Sequence, residues 1–160
     1  MSPYRAHLVF YLKGDCMHTK VNIKSFDFCS FMSEHFNEFV VIVSGSCFYD
    51  SHTGSFSYQT RYTGKKSLTR SRNFDVLSSP NRAMLEAVLA ACQRIQIPNR
   101  DVFIISPCPL GFKRGEKSKG PNADLVTEIF RVCEEKKLSI NSIAIDAGGQ
   151  LIKDILANKM

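Results

Sequence analysis

"VIVSGSCFYDSHTG", residues 41–54, sets an apolar run against small polar residues and ends in Thr53-Gly54. A short β-branched run bounded by turn residues reads as a buried strand, here residues 40–48. His52-Thr53-Gly54 marks a turn, and beyond it Phe56, Tyr58 and Thr60 alternate along a second strand. Gly64-Lys65 turns the chain again into a third strand, residues 67–77. The opening strand therefore starts a meander, and the later elements must pack on that sheet.

Downstream, Ser78-Ser79-Pro80-Asn81 begins a helix whose apolar stripe holds Met84, Leu85, Val88, Leu89, Cys92 and Ile95. "DVFIISPCP", residues 101–109, is almost continuously apolar, as expected of a central strand covered on both faces. A glycine- and lysine-rich loop, 111–120, precedes a second amphipathic helix, 122–137, with acids early and Lys136-Lys137 late, as the helix dipole prefers. A strand over 140–145 and a helix over 151–158 complete the chain. From Val40 onward the order is β-β-β-α-β-α-β-α, so the expected fold is α/β: a mixed five-stranded sheet with helices on its faces. Upstream, residues 5–13 and 20–24 read as two strands that could pair with each other. Residues 27–36 carry Phe28, Phe31, Met32 and Phe36 at helical spacing. This predicts a small ββα extension over 1–38 before a main domain over 39–160.

The chain of 160 residues, 44% hydrophobic and 22% charged, is long enough to bury one core. No apolar run approaches the ~20 residues of a membrane helix. The opening Met-Ser-Pro-Tyr-Arg lacks the apolar core of a signal peptide. The six cysteines (Cys16, Cys29, Cys47, Cys92, Cys108, Cys133) form no C-x-x-C pair. Scattered through apolar runs, they fit reduced thiols of a cytoplasmic or nuclear protein. The four histidines are equally dispersed, which argues against zinc. The net charge of +6 is concentrated in two clusters. Arg61, Lys65, Lys66, Arg70 and Arg72 have no acid among them, and Lys113, Arg114, Lys117 and Lys119 face Glu116 alone. Such clusters either track a phosphate backbone or form a solvated face.

Five short motifs, "VSGSC" (43–47), "NRAMLEAVLAA" (81–91), "VFIISPC" (102–108), "GPNADL" (120–125) and "DAGGQLIKDILA" (146–157), resemble in order those of the RNase H superfamily. The resemblance runs from about residue 40 to residue 160 and implies an RNase H-like sheet. In that family about four carboxylates hold two divalent metals that hydrolyse a phosphodiester. Carried over motif by motif, three acid positions fall on Ser44, Met84 and Pro107, and Asp154 alone is retained. The family's mobile histidine falls near Asp146. The resemblance thus implies a catalytically inactive domain, without cofactor or metal, that binds RNA, DNA or a hybrid. The residues it points to are Lys65, Lys66, Arg70, Arg72, Asn81, Arg82, Lys113, Arg114, Lys117 and Lys119. One alternative is a protein-interaction or scaffold module on the same fold, with a homodimer or partner contact through the N-terminal segment. The other is a divergent nuclease using Mg²⁺ or Mn²⁺ on Asp146 and Asp154. Gly64-Lys65-Lys66-Ser67 ends like a phosphate loop but joins two strands. Cys47 and Cys108 lack a nearby histidine and read as small core residues.

Overall fold

In a computed structural model that describes residues 17–48, 53–75, 79–112 and 122–160, ten regular elements succeed one another. They are β1 (Met17–Asn22), α1 (Phe28–Glu34), β2 (Phe39–Phe48), β3 (Thr53–Tyr62), β4 (Lys65–Asp75), α2 (Pro80–Arg94), β5 (Arg100–Ser106), α3 (Ala123–Lys136), β6 (Leu138–Asp146) and α4 (Gly149–Leu156). The strands form one sheet in the order β1-β6-β5-β2-β3-β4. Pairing is parallel from β1 through β6 and β5 to β2, and antiparallel across β2, β3 and β4.

Residues 39–43 are apolar without a break because β2 is covered on both faces. Alternation sends Phe39, Val41 and Val43 into a core beneath α2 and α3, and Val40 and Ile42 into a second core beneath α1 and α4. β5 repeats the division, with Val102 and Ile104 on the first side and Phe103 and Ile105 on the second. Helix α2 begins where Ser79 caps it, its hydroxyl accepting from the Arg82 N–H at 3.3 Å, with Pro80 in the first turn. It crosses β2 at Gly45. A Cβ there would lie 2.9 Å from both the Ala83 Cβ and the Met84 backbone nitrogen, so only glycine allows the approach. At its far end Lys136 of α3 donates to three carbonyls, Cys92 at 3.0 Å, Gln93 at 2.6 Å and Ile95 at 2.8 Å.

The architecture corrects the expected five-stranded sheet. The described sheet has six strands, and its sixth comes from the segment read as a separate ββα extension. β1 lies parallel to β6, from Met17 opposite Asn141 to Asn22 opposite Asp146. It satisfies the outer edge of β6, which would otherwise present unpaired backbone groups. α1 then covers the sheet face with Phe28 and Phe31, while Phe26 joins the same core. Residues 5–13, the expected partner of 20–24, lie outside the described residues. The resemblance to RNase H, drawn from five motifs in order, implies a five-stranded sheet, and the six-stranded sheet overturns it. The readings hung on it, an inactive RNase H-like domain binding nucleic acid and a scaffold on that fold, go with it.

Candidate functional site

Tyr62-Thr63-Gly64-Lys65 joins β3 to β4 by a two-residue turn, with Tyr62 opposite Lys65 and Thr63 and Gly64 at φ +50 and +82. Both central residues at positive φ give the turn whose twist matches that of the strands. The Thr63 N–H donates to the Phe36 carbonyl at 3.0 Å, and the Phe36 ring lies beside Gly64. The turn therefore fixes the register of β4, which pairs with β3 alone among the described strands. The closing pair of such a hairpin is hydrogen-bonded, so alternation turns the backbone N–H and C=O of Lys66, Leu68 and Arg70 outward. Their partners across the ladder, Arg61, Gln59 and Ser57, place these side chains on the face that carries α1 and α4.

On that face the cations gather round the end of α4. Arg70 Nη2 donates to the Leu156 carbonyl at 3.2 Å, and Gln59 Nε2 to that of Ile155 at 3.3 Å. Arg61 Nη2 and Lys66 Nζ both reach the Met160 backbone oxygen, at 2.6 and 3.0 Å. A helix C-terminus attracts positive charge, which accounts for Arg70 at Leu156. Among the described residues no aspartate or glutamate side chain forms an ion pair with Arg61, Lys65, Lys66 or Arg70. Burial holds the Arg61 guanidinium below its ordinary pKa. Leu68, at 41% exposure, stands on this edge as an apolar side chain in solvent.

The other expected site residues are dispersed. Ser44 pairs with Ser57, on the α4 side of the sheet, whereas Met84 is buried in the α2 core on the opposite side. Pro107 lies just past β5 and is half-buried. Asp154 accepts from Gln150 Nε2 at 3.0 Å within α4, and Asp146 is exposed at the end of β6. No group of three potential metal ligands exists among the described residues. Asn81 uses both ends of its amide locally: Nδ2 donates to the Pro109 carbonyl at 3.4 Å, and Oδ1 accepts from the Cys108 thiol at 3.2 Å. Burial raises the pKa of that thiol, which disfavours the nucleophilic thiolate. Arg82 makes a two-pronged pair with Asp124, at 3.0 and 2.8 Å, tying the start of α2 to the start of α3. Arg72 lies on β4 opposite Ser55. Lys113, Arg114, Lys117 and Lys119 lie outside the described residues.

The sequence offers no signal that marks Arg61, Leu68 and Phe36 as site residues. Arg61 looks like one more cation on a solvated strand face. Only α1, which sets the Phe28 ring 4.8 Å from its guanidinium carbon, makes it a buried one. No helix among the described residues is long and apolar enough to cross a membrane. No protein-family model matches the chain, and no curated protein matches it either.

Proposed function

We propose that the chain is a protein-binding module that receives an extended, acidic segment along the outer edge of β4. The observation that carries this reading is the edge itself. It is 11 residues long, unpaired on its outer side among the described residues, and bears Lys65, Lys66, Arg70 and Arg72. Natural sheets blunt a free edge with lysine, which also makes such an edge selective for a partner of opposite charge. Strand addition gains affinity from backbone hydrogen bonds and specificity from alternate side chains. The outward groups of Lys66, Leu68 and Arg70 supply the first, and two cations flanking one apolar anchor supply the second. Self-pairing of two β4 edges would set like charges against each other, so it is disfavoured as a dimer contact. Cys92 and Cys133, unbridged with sulfurs 3.9 Å apart, support a reducing compartment.

The test is amide hydrogen exchange with an eight-residue peptide alternating glutamate and valine. Protection of Lys66, Leu68 and Arg70, lost with a lysine-valine peptide and with Leu68→Asp, is the expected result. Absence of protection on β4 refutes the proposal. So does stronger protection of the same residues by single-stranded RNA, which would make the edge a polyanion surface.

A further inference from the structure

Where β4 begins, a cavity of about 240 Å³ opens between the end of α1 and the β3–β4 turn. Met32 and Phe36 line it from α1, and Tyr62, Gly64 and Lys66 from the hairpin. A cavity of ~150 Å³ is enough to hold benzene, so one aromatic side chain fits. Phe36 is 50% exposed, and its ring comes within 3.6 Å of where a Gly64 Cβ would stand. An exposed ring beside a residue without a side chain leaves an apolar surface open at the tip of the edge.

The two cations of the wall, Arg61 and Lys66, both donate to the Met160 oxygen, so an uncharged group suits the cavity. A strand added antiparallel to β4 sets alternate residues opposite Arg70, Leu68 and Lys66. Opposed residues share a face, here the one that carries α1 and α4. The next residue on that face, two beyond the one opposite Lys66, comes level with Gly64. Neighbouring strands lie ~4.8 Å apart, a span that an aromatic side chain covers. Gly64 puts no side chain in the way, so the ring reaches Phe36 and Met32. An antiparallel partner runs toward the turn, which places this residue on its C-terminal side.

We propose that this cavity seats an aromatic residue of the partner segment, placed C-terminal to its acids. Along one face the segment then reads acid, apolar, acid, aromatic, opposite Arg70, Leu68, Lys66 and Gly64. The inference rests on strand addition at β4 and adds to it a direction and a register. A segment without such a residue can slide by two positions along the edge and keep the same face. The aromatic ring has one seat, and that stops the slide.

The probes are three capped heptapeptides: Glu-Thr-Val-Thr-Glu-Thr-Phe, its counterpart ending in alanine, and the first in reverse order. Each is titrated into the full chain, with amide exchange read on β4 and labelled methionine methyls read by NMR. Met32 reports from the cavity, and Met84, buried in the opposite core, serves as reference. Protection of Lys66, Leu68 and Arg70 is expected with the first two peptides, which tests strand addition itself. The phenylalanine peptide should shift Met32 saturably and bind about tenfold more tightly than the alanine one. The reversed peptide should bind no better than the alanine one and leave Met32 unshifted. Phe36→Ala, at a half-exposed position, should cut the tenfold advantage to below about threefold. Protection by the alanine peptide should survive that change. Protection on β4 with equal affinities for the phenylalanine and alanine peptides overturns the seat and leaves strand addition standing. So does equal binding of the reversed peptide, or an advantage that survives Phe36→Ala. Absence of protection with every peptide overturns both.

Discussion

Replacing Lys136 by methionine keeps the length and apolar stem of the side chain and removes its ammonium group. That group bonds the carbonyls of Cys92, Gln93 and Ile95, where α2 ends and its dipole is negative. A hydrogen bond to a charged group contributes about 1.5–3 kcal/mol, but three bonds to one ammonium are not independent. Gln93 is exposed, so water replaces its bond, whereas Cys92 is buried and Ile95 is nearly so. The net loss should be about 2 kcal/mol, a fall of about 4–8 °C in Tm for a chain of this size. Urea unfolding should show a lower midpoint with an unchanged slope. Arginine should restore at most half of the loss, because its planar fork cannot converge on three carbonyls as an ammonium does. Lys153→Met, at an exposed position of α4, is the control and should stay within about 0.5 kcal/mol. If Lys136→Met behaves like that control, the lysine does not hold the end of α2 and the reasoning fails.

Gly148→Ala should cost about 2 kcal/mol, because the added Cβ would lie 2.5 Å from the Ile145 Cγ2 and 2.9 Å from the Ile145 carbonyl oxygen. Gly149→Ala, where a Cβ meets nothing within 4 Å, should leave Tm unchanged, and equal losses at the two sites would count against the packing described. The Arg82 guanidinium, hydrogen-bonded to Asp124, holds its carboxyl at about 2, below the ordinary 3.8. That stabilisation is complete above the ordinary value and fades as pH falls through about 2. With Asp124 64% exposed, it should amount to about 0.5 kcal/mol. The Tm difference between the parent chain and Arg82→Gln should therefore shrink between pH 5 and pH 2, and a constant difference would refute the pairing.

Local signals were legible where burial leaves a periodic mark. The unbroken apolar run over 102–105 announced a strand covered on both faces, and Ser79-Pro80 announced a helix start because capping chemistry is local. β1 left only a partial mark, the alternation over residues 20–24. "MHTKVN" is short and largely polar, and its partner Asn141–Asp146 is remote in sequence, so nothing nearby fixes its place in the sheet. Arg82 hides its partner for the same reason. Beside Asn81 it looked like a phosphate contact, and only the fold brings Asp124 to it. The family resemblance assigned Ser44 and Met84 to two positions of one lost acid site. The alternation of β2 puts Gly45 toward α2 and turns Ser44 away.

The pairing of β1 with β6 makes the order of synthesis matter. About 120 residues separate the two strands, which at 5–20 residues per second occupies about 6–24 s on the ribosome. Through that interval β1 lacks the strand it pairs with among the described residues, and Ile143 and Ile145, which lie in one core with Phe26, Phe28 and Phe31, do not yet exist. The nascent chain must carry an unsatisfied strand and an incompletely covered aromatic cluster until its last strand emerges. Its exposure to misassembly is thus set less by its final stability than by the time it waits for residue 146.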